Sequence, residues 1–288
     1  MKKLQRIKYW VNATKRQNLR RNGVQRKNSK RRGKTIVNTR NIRIGSLNCR
    51  WLTKEKLEVW AEENSLDQLY IHMLLLQETK EDPHQKPIKE WVQELLPNWS
   101  WISKPRTKKS GGIGILVRKM WLDNMKQIEI NGGSNNVTWV KISDTKFRDL
   151  IIGNAYMPDS SKSIDLVERE FDRLTSSIQE IKNRFPDADI LLGGDLNGRV
   201  GNNPEKHKGR IGTNEAKQNK NGSQLAQFLE STDFYALNGR NRQPLDELYT
   251  WRNSRGNRSV IDYFTTQGRN LKKFKMIVHK KDWDSDHS

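Results

Sequence analysis

The chain has 288 residues, enough for one large domain, with 54 Lys or Arg against 33 Asp or Glu and a net charge of +21. Fifteen of those bases fall in residues 1–40, where no acid occurs, so residues 41–288 set 39 bases against all 33 acids and are close to balance. The lone Cys49 excludes an intramolecular disulfide and any Cys-based zinc site, and no apolar run approaches the roughly 20 residues needed to span a bilayer. A soluble intracellular protein is expected.

Residues 1–40 are rich in Asn, Gln, Lys and Arg and hold too few apolar groups to offset chain entropy. They are predicted to form a disordered or nucleic-acid-anchoring tail, with DNA or RNA as its partner through counterion release. A nuclear-localisation signal, a solvated leader and an organelle transit peptide are the alternatives. Order is predicted over 41–288. The alternating stretch Ile42–Leu47 reads as a strand that delivers Asn48. A helical pattern runs through Leu57, Trp60 and Ala61, and His72–Gln77 reads as a buried strand ending on Glu78. Pro87 opens a short helix, and strands follow over Gly111–Val117, Val137–Ile142 and Leu150–Tyr156. The longest helix spans about Ser163–Phe185, and the next strand carries Asp195.

Gly198–Gly222 reads as a long irregular loop, and a helix follows on Leu225, Phe228 and Leu229. The last third is strand-rich: Phe234–Leu237, Tyr249–Trp251, Val260–Thr265 and Phe274–Val278. Many strands with a few interspersed helices predict a layered α/β or α+β domain of two packed sheets flanked by helices.

One design recurs, in which an apolar strand stops on a polar residue: Ser46-Leu47-Asn48, Leu76-Gln77-Glu78-Thr79, Gly153-Asn154-Ala155-Tyr156, Gly194-Asp195-Leu196-Asn197 and Ser285-Asp286-His287, with Asp262 set inside a further strand. Alternate residues of a strand point the same way, so Asp195 and Asn197 can aim at one point beyond the strand's end. A carboxylate and a carboxamide converging there can orient a water or a hydrated metal against a phosphate. The set is oxygen-rich and free of thiolates, which selects Mg²⁺ or Mn²⁺ over zinc. Each residue alone has a plainer reading: a turn Asn, a strand-end carboxylate, a core Tyr, a surface His. Trp251, Arg252, Arg255 and Arg258 combine phosphate-binding charge with an aromatic, and Lys206, Lys208 and Arg210 offer a second phosphate contact. The alternative is a solvated hairpin with its Trp in the core.

The motifs SLNCRWL, LLLQET, SGGIGILV, GNAYMP, LLGGDLNGRVG, NKNGSQLAQFL, YTWRNSRGNRSVIDYF and SDH resemble those of the endonuclease/exonuclease/phosphatase superfamily. They are most similar to the apurinic-endonuclease-like endonuclease domain of non-LTR retrotransposons. The resemblance covers about Ile42–Ser288 and implies a DNase I-like four-layered sandwich of two mostly antiparallel β-sheets flanked by helices. It implies an endonuclease that nicks DNA, leaving a 3′-hydroxyl and a 5′-phosphate. In its terms Glu78 is the principal Mg²⁺ ligand, helped by Asn48 and Asp286. Asp195 orients or deprotonates the attacking water, Asn197 positions water and phosphate, and Tyr156 contacts the scissile phosphate. His287 lies beside the phosphoryl oxygens, oriented by Asp262. A nuclear location follows from the same likeness and the basic tail.

Two features depart from the pattern. Many relatives carry an acid where this sequence has Arg50, and the family continues beyond SDH with another apolar strand. The second departure implies a piece of a longer polyprotein or a site completed by a partner. An RNase, deadenylase or phosphoinositide phosphatase on the same fold remains an open reading, as does a catalytically weak nucleic-acid-binding component that uses the nuclease fold as scaffold.

Overall fold

The computed structural model describes residues 8–13, 42–81, 87–104, 111–143, 148–201, 209–211, 217–240, 248–279 and 285–287. Its first sheet is built mainly from the first half of the chain: β1 (Lys8–Ala13), β2 (Arg43–Asn48), β3 (Met73–Gln77), β4 (Trp99–Lys104) and β5 (Ile113–Arg118). Helices α1 (Lys54–Glu62), α2 (Ser65–Gln68) and α3 (Ile88–Leu95) connect these strands. The second sheet takes β6 (Met125–Ile128), β7 (Val137–Ile142), β8 (Leu150–Tyr156), β9 (Asp189–Asp195), β10 (Phe234–Ala236) and β13 (Asp262–Gln267), with helices α4 (Ile164–Arg184) and α5 (Lys220–Ser231) between them. A two-stranded hairpin, β11 (Trp251–Arg252) and β12 (Arg258–Ser259), precedes β13. The chain then returns to the first sheet as β14 (Phe274–His279).

Strand periodicity divides the apolar side chains among three cores. Ile44, Met73, Leu75, Ile115 and Val117 of the first sheet face Val140, Ile152, Leu191 and Phe264 of the second. The alternate residues Leu47, Leu74, Leu76 and Leu116 turn outward onto Leu57, Trp60 and Val92 of α1 and α3. On the far side, Ile151, Ile190 and Leu192 pack against Val167, Phe171, Leu174 and Ile178 of α4 and Leu225 and Phe228 of α5. Helices, sheet, sheet, helices: this is the four-layered sandwich with mixed sheets.

The strand orders are β14-β1-β2-β3-β5-β4 and β10-β13-β9-β8-β7-β6. In each sheet the central pair is parallel, β2 with β3 and β8 with β9, and every other ladder is antiparallel. A parallel pair ends both of its strands on the same side. Asn48 therefore lies opposite Gln77, one residue before Glu78, and Tyr156 opposite Asp195. The antiparallel β13 begins where β9 stops, so Asp262 lies opposite Asp195.

The structure corrects the expectation of an unstructured tail at one place. Lys8–Ala13 forms a strand laid antiparallel between β2 and β14, with Tyr9 opposite Ser46 and Val278. A composition averaged over forty residues hides six that include the strand formers Tyr9, Trp10 and Val11. Trp99–Lys104 and Met125–Ile128 are strands that periodicity did not single out, and α5 begins at Lys220, inside the segment expected to be loop.

Candidate active site

Under the site, the two sheets are joined by buried polar side chains. Gln77 donates from Nε2 to Asn154 Oδ1 at 2.7 Å, and Asn154 donates from Nδ2 to the carbonyls of Leu76 and Gly114 at 2.9 and 2.8 Å. Above this layer Asn48 uses its Nδ2 twice, toward Asp195 Oδ2 at 2.9 Å and Glu78 Oε1 at 3.2 Å. The Tyr156 hydroxyl donates to the same Glu78 oxygen at 2.7 Å. Glu78 has φ +52°, a left-handed conformation that turns the chain just past the strand and leaves the carboxylate partly exposed.

On the opposite wall His287 Nδ1 lies 3.1 Å from Asp262 Oδ2, and its Nε2 lies 3.9 Å from Asp195 Oδ2. All three side chains are buried. Asp262 is fixed by Thr250, whose Oγ1 accepts from the Ile261 and Asp262 amides at 2.9 and 3.1 Å. His287 is fixed by its short bridge to Trp251 and by Ser285, whose hydroxyl donates to the Asn48 carbonyl at 2.5 Å and accepts from the His287 amide at 3.1 Å. Asn197 donates from Nδ2 to the Met157 carbonyl at 2.9 Å, and its amide donates to Asp195 Oδ1 at 3.0 Å. Gly194, at φ +139°, lets β8 and β9 close up beside Asp195, because a Cβ there would lie 1.9 Å from the Ala155 carbonyl oxygen.

Residues 150–288 match the family model described as Endonuclease-reverse transcriptase. Over that segment the chain is similar to the endonuclease/exonuclease/phosphatase superfamily, and its four-layered fold is DNase I-like. Among solved structures of similar fold, AP endonuclease LMAP from Leishmania major has a TM-score of 0.61 at 11% identity, over 83% of this chain and 87% of that one. The endonuclease domain of TRAS1, a telomere-specific non-LTR retrotransposon, has a TM-score of 0.54 at 13% identity, over 85% of this chain and 99% of its own. An AP endonuclease from Archaeoglobus fulgidus gives 0.56 at 16% identity, over 80% and 88%. No curated protein matches the sequence.

Within the site, burial and charge set the protonation states. Burial, with Asp262 close by, pushes Asp195 up to about 7, against the pull of His287 and Asn48 toward the ionised form. Burial disfavours the His287 imidazolium, but Asp262 outweighs it and raises the ring to about 9, so it is a cation at neutral pH. Burial, and then the Glu78 carboxylate, hold the Tyr156 hydroxyl well above its ordinary value, so it remains a donor. Cys49 lies just below, its thiol pushed up to about 12 by burial, which removes it as a nucleophile.

The structure thus gathers Asn48, Glu78, Tyr156, Asp195, Asn197, Asp262, Asp286 and His287 at one end of the sandwich. Asp286 is drawn aside: Arg50 Nη1 lies 3.4 Å from its Oδ2 and the Trp251 indole donates to the same oxygen at 3.3 Å. The hairpin with Trp251, Arg252, Arg255 and Arg258 borders the site, since the Arg252 amide donates to the Asp286 carbonyl at 3.0 Å, and Arg255 and Arg258 are exposed. Arg210 is a correction. Its guanidinium pairs with Asp233 at 3.0 Å and lies over the Tyr235 ring, at the end of β10 remote from Asp262. Lys206 and Lys208 lie outside the described residues. Sequence reasoning missed the positioning residues Gln77, Asn154, Thr250 and Ser285, although all four stand inside quoted motifs.

Two places offer ligand atoms to a cation. Asp195, Asp262 and His287 bring theirs within 4.8 Å of one another, but the His287–Asp262 contact already occupies Nδ1 and Asp262. Glu78 presents hard oxygen at the open rim, its Oε1 held by Asn48 and Tyr156, and Asp286 Oδ1 has no hydrogen-bond partner among the described residues, an acceptor a cation would satisfy. Carboxylate oxygen of this kind suits a hard divalent ion.

Proposed function

We propose that this chain is a divalent-cation-dependent endonuclease that nicks DNA by in-line hydrolysis of a phosphodiester. The observation that carries the reading is the position of Asp195, between Asn48 and Glu78 on one side and the Asp262–His287 pair on the other. A carboxylate titrating near neutrality beside an imidazolium divides the work as phosphodiester hydrolysis requires. Asp195 takes the proton of the attacking water, held in line with help from Asn197. His287 keeps its proton and donates from Nε2 to a non-bridging phosphoryl oxygen, where negative charge develops. The water oxygen bonds to phosphorus as the bond from phosphorus to O3′ breaks, and O3′ takes a proton from solvent, giving a 3′-hydroxyl and a 5′-phosphate. Glu78, positioned by Asn48 and Tyr156, would hold Mg²⁺ or Mn²⁺, and the ion would supply charge compensation as the phosphodiester is cleaved. Arg252, Arg255 and Arg258 grip the phosphate backbone. The basic residues 1–40 suit a nuclear place of action and a further hold on DNA or RNA.

A supercoiled-plasmid nicking assay tests this, run with Mg²⁺, Mn²⁺ or EDTA on the wild type, Glu78→Ala and His287→Ala. Nicking that needs the cation and is lost in both variants is expected. Retention of DNA without nicking would make the chain a binding component, and cleavage confined to RNA or to 3′-phosphates would move it to another branch of the superfamily.

A further inference from the structure

Immediately after Asn48 the backbone does something L-residues avoid. Arg50 has φ +54° and Trp51 φ +144°, two positive values in succession. The turn is held from both sides. The Arg50 amide donates to Asn48 Oδ1 at 3.0 Å, Lys56 Nζ donates to the Cys49 carbonyl at 2.9 Å, and the Leu52 amide donates to the Thr79 carbonyl at 3.2 Å. Cys49 and Leu52 are buried in the core beneath α1, while Trp51 between them stands 55% exposed. Water-facing indole on a strained backbone costs stability twice, which marks a position kept for contact rather than for folding.

The location says what the contact is. The turn Glu78-Thr79-Lys80 lies directly across, and Lys80 Nζ is 5.9 Å from the Trp51 ring centroid. Arg50, the residue before Trp51 in the chain, reaches Asp286 beside His287. Tyr70 is the other exposed aromatic among the described residues, and it sits under Arg43 at the opposite end of the sheet. A flat exposed aromatic with Lys80 over its ring and Arg50 next to it in the chain, at the rim of a phosphodiester site, matches a nucleobase with its backbone charges.

We propose that Trp51 is a stacking platform for an unpaired base next to the scissile phosphate. The proposal rests on the nucleic-acid reading of the site and adds a preference for DNA with a bulged, flipped or single-stranded base there. Base-on-aromatic stacking tolerates every base, so the preference is for unpaired structure rather than for sequence.

Anisotropy titrations in EDTA, where no cleavage is expected, test it with a fluorescein-labelled duplex bearing one bulged base and a fully paired duplex of equal length. Trp51→Ala is expected to weaken binding to the bulged probe about tenfold and to the paired probe less than twofold, with Trp51→Phe restoring most of the loss. Trp51→Gly removes the strain as well as the ring, so it should melt no lower than the wild type while binding the bulged probe as poorly as Trp51→Ala. A merely structural Trp would show the reverse. Bulged-probe affinity within twofold of wild type in Trp51→Ala overturns the platform. Plasmid nicking by the wild type is scored separately. Nicking with Trp51-independent binding removes the platform alone, Trp51-dependent binding without nicking removes the nuclease and leaves the platform, and no binding at all removes both.

Discussion

On the second-sheet wall of the site, Asp195, Asp262 and His287 are buried, sit at the ends of regular strands or beside them, and have every approach fixed by Thr250, Ser285 and backbone amides. On the first-sheet wall, Arg50, Trp51, Glu78 and Lys80 all have positive φ and lie at or near the surface. Burial is what shifts Asp195 and His287, so proton chemistry belongs to the first group. Exposure and turn geometry leave the second group open to solvent. Precision of protonation demands exclusion of water, whereas capture demands the opposite, and the two walls divide those tasks.

The largest expected effect breaks the buried wall. Asp195→Asn keeps the shape and removes the base, so nicking should fall about 10²–10⁴-fold while DNA affinity stays within a few-fold, measured by plasmid nicking and anisotropy side by side. Equal losses in both would place Asp195 in folding rather than chemistry. On the open wall, Tyr156→Phe removes the donor to Glu78, and divalent-ion affinity measured by calorimetry should drop about tenfold. An unchanged ion affinity with reduced turnover would instead put the phenol on the phosphate.

Deleting residues 1–13 strips β14 of β1, the strand it pairs with among the described residues. Amide exchange over Phe274–His279 should quicken by an order of magnitude or more, and nicking should fall because β14 leads into Ser285-Asp286-His287. Unaltered exchange there would return Lys8–Ala13 to the status of a tail.

The smallest effect concerns pH. Asp195 is raised from 3.8 to about 7, so its stabilising contribution is complete below about 3.8 and lost as pH climbs through 7. His287 is raised from 6.5 to about 9, so its contribution is complete below about 6.5 and lost through 9. The metal-free protein should therefore melt a few degrees lower at pH 9 than at pH 5 in a calorimetric scan. A melting point that rises with pH would refute the buried-wall account.

How much of this the sequence disclosed depends on whether a residue's position follows from its neighbours. Asn48, Glu78, Tyr156 and Asp195 each close an apolar strand, so strand periodicity alone sends them to a common end, and the four layers follow from the alternation in the same strands. Asp286 and Arg210 were harder, because their partners Arg50 and Asp233 come from elsewhere in the chain and redirect side chains whose type suggested ligands or phosphate contacts. Lys8–Ala13 was hidden since its pairing spans more than 260 residues and lies within a stretch of like charge. Trp51 could not be found from pattern, as its exposure arises from two unusual backbone angles rather than from periodicity.

The return of β14 to the first sheet carries a temporal meaning. A chain emerging from the ribosome lays down both central parallel pairs, and with them Glu78 and Asp195, well before the imidazole arrives. The crossing that returns the chain to the first sheet thus brings His287, just beyond it, to carboxylates laid down far earlier, and it ties the two halves together.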